Sequence, residues 1–185
     1  IKKNKDNKLD LNNNILLGLK YYEKYTQKIP HKTIFNIEKK LQQYLFNIDP
    51  LFIGIVTGSY RRLKNYSGDI DFLIFHPDIK TKKQLDKSTH LSKIYNFLKS
   101  NKFIIDSLTN KEPTTKYMGF AQSNNIIFRF DIRFMPYESF YTALAYFTGS
   151  ADTNKKMRLV ALQQDMLLNE YGLYKDNKQI NAIRN

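Results

Sequence analysis

Cysteine is absent from the 185 residues, so no disulfide, thiolate metal site or cysteine nucleophile can form. No apolar run is long enough to span a bilayer. The polar, Lys- and Asn-rich start is not a secretory signal. Internal repeats and low-complexity linkers are missing as well. Acidic side chains are scarce: 17 stand against 30 lysines and arginines, which leaves a net charge of +13. Such a surplus points to polyanionic partners, nucleic acid first and an anionic membrane second. Hydrophobic residues make up 42% and charged residues 25%, so the chain can build a packed core. Its length suits one or two small domains. The lack of cysteine fits an intracellular protein. The chain opens on Ile1 rather than methionine, which suggests a piece of a longer protein.

Residues 1–14 read as a solvated tail, and Ile15 to Tyr25 as a helix with one apolar face through Ile15, Leu16, Leu19, Tyr22 and Tyr25. Pro30 breaks the pattern. Thr33 to Asn47 repeats Ile34, Ile37, Leu41 and Leu45 at helical steps, and Asp49-Pro50 stops it. Leu51 to Thr57 reads as a buried strand closed by Gly58-Ser59. Asp69 to His76 reads as a second strand, with Asp69 and Asp71 on one face and Ile70, Phe72 and Ile74 on the other. A helix at Thr89–Ser100 and short strands at Phe103–Leu108 and Lys116–Ala121 follow. Ile126 to Phe134 alternates strictly: Ile126, Phe128, Phe130, Ile132 and Phe134 form one face, and Arg129, Asp131 and Arg133 the other. Tyr137–Phe147 and Asp152–Met166 read as helices around a Thr148-Gly149-Ser150 turn. Leu167–Tyr174 and Gln179–Ile180 read as a hairpin.

The chemistry gathers between Thr57 and Phe75. Gly58 lets a backbone come close to a ligand. Ser59 can donate to phosphate oxygens, and Arg62 can neutralise developing charge. Asp69 and Asp71 can aim two carboxylates at one place, and Asp131 can add a third from a neighbouring strand. Mg²⁺ prefers oxygen ligands and keeps phosphates among them, so this set suits two-metal catalysis. Taken singly, a Gly-Ser is usually a turn and an Asp-x-Asp a solvated strand end. The combination is much more specific. The arginines beside Asp131 also read as plain ion-pair partners.

Gly58-Ser59-Tyr60-Arg61-Arg62 through Gly68-Asp69-Ile70-Asp71 resembles the family X DNA polymerases, the DNA polymerase beta type of repair enzyme. Lys116-Tyr-Met-Gly-Phe120, Arg129-Phe-Asp-Ile-Arg133, Tyr146-Phe-Thr-Gly-Ser150, Asn154-Lys-Lys-Met-Arg158 and Asn169-Glu-Tyr171 fall in that family's order. The resemblance implies an α+β fold: a nucleotidyltransferase palm with a mixed sheet and flanking helices over 30–136, a helical lead-in over 1–29, and a partial α+β thumb over 137–185. It implies that Asp69, Asp71 and Asp131 are catalytic and bind two Mg²⁺ ions, with Mn²⁺ as a substitute. Ser59, Arg62, Gly68, Gly149 and Ser150 would hold or adjoin the nucleotide, Tyr146 and Phe147 would face its sugar, and Asn154 would reach the minor-groove edge of its base. Arg129 would contact the primer backbone, and Lys155 and Arg158 the template side. Arg133 would switch partners from Asp71 to the neighbourhood of Glu170 and Tyr171.

The expected function is therefore template-directed, gap-filling DNA synthesis in base excision repair. The partners would be primer-template or gapped DNA and a dNTP. A monomer without membrane attachment is expected, in the nucleus or a viral replication compartment. Three departures from the family pattern stand out: His31 in place of an arginine, Leu63 in place of a glycine, and Ala151 in place of an acidic residue. The sequence is read as lacking the helix-hairpin-helix DNA grips and the lyase domain, and the thumb reads as incomplete. A template-independent or RNA-tailing nucleotidyltransferase and a non-catalytic DNA-binding fragment remain as alternatives. Three carboxylates argue against the last, because they repel a phosphate backbone unless a metal intervenes.

Overall fold

The computed structural model describes residues 11–109 and 111–180. Most of the expected amino-terminal tail lies outside the described residues. Helix α1 (Asn13–Tyr25) begins at Asn12, whose side chain accepts from the Ile15 amide at 3.0 Å. Ile15, Leu16, Leu19 and Tyr22 are 46–58% exposed, and the buried residue is Tyr21. Most of the expected stripe faces outward, and the helix docks through Tyr21 and through Tyr25, the one member of the stripe that packs inward, its ring 5.6 Å from Phe120. The two-residue strand β1 (Ile29–Pro30) leads straight into α2 (His31–Ile48), whose Ile34, Ile37, Leu41 and Leu45 form the buried stripe.

A five-stranded mixed sheet is the centre of the fold. Its order is β2 (Ile53–Val56), β4 (Asp69–Phe75), β7 (Ile126–Phe134), β6 (Lys116–Ser123) and β5 (Ile104–Ser107). Between β2 and β4 lie the single-turn helix α3 (Gly58–Arg61) and β3 (Tyr66–Ser67), and β3 pairs antiparallel with β1. Between β4 and β5 lie α4 (Lys82–Asp86) and α5 (His90–Ser100). Only the β4–β7 pair of the large sheet is parallel; the other three ladders are antiparallel.

One face of the sheet packs on α2 and α5. Ile70, Phe72 and Ile74 from β4, and Phe128, Phe130, Ile132 and Phe134 from β7, meet Leu41, Leu45, Leu91, Ile94 and Leu98 there. Burial of this apolar surface is the main stabilising contribution. The opposite face is divided. Toward the carboxyl end of β4, Leu73 and Phe75 meet Met135 and Ala143, the latter from α6 (Phe140–Thr148). Toward the amino end lie Asp69, Asp71, Arg129 and Asp131. Tyr21 of α1 flanks this end, its ring 4.6 Å from Phe120 on β6.

Helix α7 (Ala151–Leu162) then leads into a three-stranded meander of β8 (Met166–Leu168), β9 (Leu173–Lys175) and β10 (Lys178–Ile180). The expected helix to Met166 stops four residues early, because Asp165 takes a left-handed backbone at φ 55°. The expected single strand from Leu167 to Tyr174 is two strands, since Asn169 turns the chain by accepting from the Tyr171 and Gly172 amides. No helix among the described residues is long and apolar enough to cross a membrane.

Candidate active site

The parallel register sets Asp71 directly beside Asp131, with Asp69 beside Arg129 and Leu73 beside Arg133. Partners in a register share a face, so the carboxylates of two strands point the same way. Asp69 is exposed, and Asp71 and Asp131 are half-buried. Burial, reinforced by the Asp69 and Asp131 charges, pushes the Asp71 carboxyl up to about 6, against the pull of Arg133 and Arg129. Burial also raises Asp131, while Arg129 works the other way and Asp69 adds to the rise. Arg129 donates to Asp131 Oδ1 at 2.7 Å and lies 5.4 Å from the Phe120 ring.

Among the described residues no three His, Cys, Asp or Glu side chains are gathered tightly enough to hold an ion as they stand. Asp131 gives one oxygen to Arg129, which explains part of that openness. The donor set nonetheless fits a hard divalent cation. It is all carboxylate oxygen, and its negative charges crowd a partly desolvated place.

The turn after β2 delivers the next groups. Gly58 has φ +59°, and a Cβ built on it would sit 2.7 Å from Asp71 Oδ2. The start of α3 therefore abuts the carboxylate site, and only glycine fits there. Ser59 follows in the first turn. Two groups that the sequence reading passed over hold α3 in place. Glu38 of α2 accepts from the Val56 amide at 3.0 Å and from the Tyr60 hydroxyl at 2.7 Å. Its signal was a lone acid on the apolar stripe of α2. Arg61 donates to Thr148 Oγ1 at 2.9 Å, and Arg62 donates to the Thr148 carbonyl. Gly68, half-buried, lies near the Lys28 ammonium.

The remaining predicted residues cluster around α6, α7 and the meander. Tyr146 and Phe147 meet edge to face at 5.3 Å, and Phe147 packs beside Leu73 and Phe75. Gly149 has φ +68° and lies against Arg62, and its peptide bond to Ser150 is cis. Ser150 caps α7. Asn154 donates to the Tyr146 carbonyl at 2.7 Å, while its side-chain oxygen is buried without a partner among the described residues. Asn154, Arg158 and Tyr146 line one apolar cavity of about 180 Å³. Lys155 and Arg158 are exposed. Arg133 lies 5.9 Å from the Phe147 ring, close enough to act on both Asp71 and Tyr171. Lys82 lies 4.7 Å from the Tyr171 ring, so the meander rests on the segment before α5. Glu170 sits beside Tyr171 and, after burial and together with Asp86, raises its phenol.

Residues 28–137 match the family model of the DNA polymerase beta palm, and residues 143–184 that of the DNA polymerase beta thumb. The chain belongs to the family X DNA polymerases. This family X chain is 32% identical over 163 residues to DNA polymerase lambda of Rattus norvegicus, covering 85% of the chain and 28% of the relative. It is 30% identical over 165 residues to DNA polymerase lambda of Arabidopsis thaliana, covering 85% and 31%. A DNA polymerase/3'-5' exonuclease PolX of Bacillus subtilis is 26% identical over 161 residues, covering 86% and 25%. The family X chain thus spans only a quarter to a third of the length of these relatives. Its mixed sheet with flanking helices is the palm, and α7 with the meander falls in the thumb match.

Proposed function

We propose that this chain is the catalytic palm and part of the thumb of a DNA-directed DNA polymerase that fills gaps during repair. The observation that carries the reading is the abreast placement of Asp71 and Asp131 on parallel strands, with Asp69 on the same face. Asp69, Asp71 and Asp131 would hold two Mg²⁺ ions, or Mn²⁺ in their place. Ions bound there would activate the primer 3′-hydroxyl and steady the departing pyrophosphate.

The chain's own groups do the rest. Ser59 and its amide, Arg62, Gly68, Gly149 and Ser150 bind or border the triphosphate. Arg62 spends one of its five donors on Thr148, which leaves the others for phosphate oxygens. Arg129 orients Asp131 through their ion pair and meets the primer backbone. Tyr146 and Phe147 face the deoxyribose. Asn154 reaches the base edge once its amide leaves the Tyr146 carbonyl. Lys155 and Arg158 meet the template strand. Arg133 moves between Asp71 and the Glu170–Tyr171 corner as the thumb closes. The protein acts as a monomer in the nucleus. Relatives from rat, Arabidopsis and Bacillus subtilis give no support to a viral compartment.

The test is primer extension by the full-length protein on gapped DNA with magnesium. Asp131→Ala is expected to lower the extension rate by about a thousandfold or more, a loss of transition-state charge stabilisation. No extension by the wild type, or extension unchanged in the variant, defeats the reading.

A further inference from the structure

Arg61 has no role in the account above, yet its contacts tie together two halves of the nucleotide pocket. Its guanidinium donates to Thr148 Oγ1 at 2.9 Å, and the same hydroxyl donates onward to the Leu144 carbonyl. The neighbouring Arg62 donates to the Thr148 carbonyl. Two consecutive arginines thus clasp one residue at the end of α6, where Gly149 turns the chain into α7. The other end of their own helix lies against Asp71 through Gly58. Arg61 is therefore a side chain that fixes the spacing between the turn carrying Ser59 and the turn carrying Gly149 and Ser150.

We infer that Arg61 is a positioning residue for the nucleotide triphosphate, acting through the Thr148 hydroxyl rather than by touching phosphate. The inference rests on the polymerase reading for its substrate. With the clasp in place, the two turns are preset at one separation and Arg62 stands between them. Without it, triphosphate binding must order both turns at once, which weakens binding. Geometry once bound is unchanged, so the chemical step is spared.

The experiment compares wild type, Arg61→Ala, Thr148→Val, Thr148→Ser and the Arg61→Ala/Thr148→Val double variant in the full-length protein. Two readouts are taken: dNTP KM and kcat in gap filling, and dATP affinity from the shift in melting temperature with magnesium. Arg61→Ala and Thr148→Val are each expected to raise KM and weaken dATP binding about tenfold, with kcat within about threefold. The double variant is expected to be no worse than either single one, since both remove the same bond. Thr148→Ser keeps the hydroxyl and is expected to behave as wild type. Should Arg61→Ala fail to fold, the Thr148 pair carries the same comparison. Unchanged dATP affinity in the single variants, losses that multiply in the double, or a fall in kcat at constant KM overturns the inference and leaves the polymerase reading standing. Wild-type protein that binds dATP with this coupling but extends no primer defeats the polymerase reading alone.

Discussion

At the scale of single residues, the carboxylate face is crowded by design of the strand register. Asp71 carries the strain, because burial and two neighbouring carboxylates all disfavour its charge. Its folded-state value, raised to about 6, lies above that of an unfolded aspartate, so the charged form destabilises the fold at neutral pH. Asp71→Asn is expected to melt higher than wild type in EDTA, by a margin on the order of 1–3 kcal/mol at pH 7, while extension is lost. Lowering the pH toward about 5 protonates the wild-type residue in the fold and should narrow the gap. Equal melting of the two proteins at pH 7 would remove the repulsion argument. Gly58→Ala addresses the same corner. It places a methyl group against Asp71 and forces a left-handed backbone on alanine. A loss of about 1–2 kcal/mol is expected in a denaturant titration, with a much larger fall in extension.

At the scale of elements, β4 and β7 were legible because strict alternation separates their charged and apolar faces. The pairing between them was not, since no local signal sets the register of strands with four elements between them. The end of α7 was misread because Leu159, Leu162 and Met166 keep helical spacing past the true stop, and no glycine or proline marks Asp165. The stripe on α1 was read correctly as periodic, but periodicity does not say which face docks. Tyr21 and Lys20 decide that, through hydrogen bonds to Asp106. The start of α5 offers a test by pH. Burial, then His76 and Lys93, lower the His90 imidazole, while Asp49 and Asp78 oppose them. Ser88 also hydrogen-bonds it at 2.7 Å. The folded value lies below that of a free histidine, so stability is full above about pH 6.5 and declines as the pH falls below it. His90→Gln is expected to flatten the melting temperature between about pH 7 and 5. An unchanged slope would assign the acid sensitivity elsewhere.

At the scale of the molecule, the +13 charge was legible at once and fits a DNA partner. Arg129, Lys155 and Arg158 together neutralising about three phosphates would weaken gapped-DNA binding about fortyfold between 50 and 200 mM salt. Lys155→Ala or Arg158→Ala should each lower the slope of log K against log salt by about one. A slope unmoved by both would place the contacts on other lysines. The parallel β4–β7 pair has one further consequence. Its strands cannot be joined by a hairpin, so α4, α5, β5 and β6 must all be laid down before the ladder closes. The three-carboxylate face is then a product of late, long-range assembly: a nascent chain released before β7 carries Asp69 and Asp71 in full, yet has no partner strand to bring them a third acid.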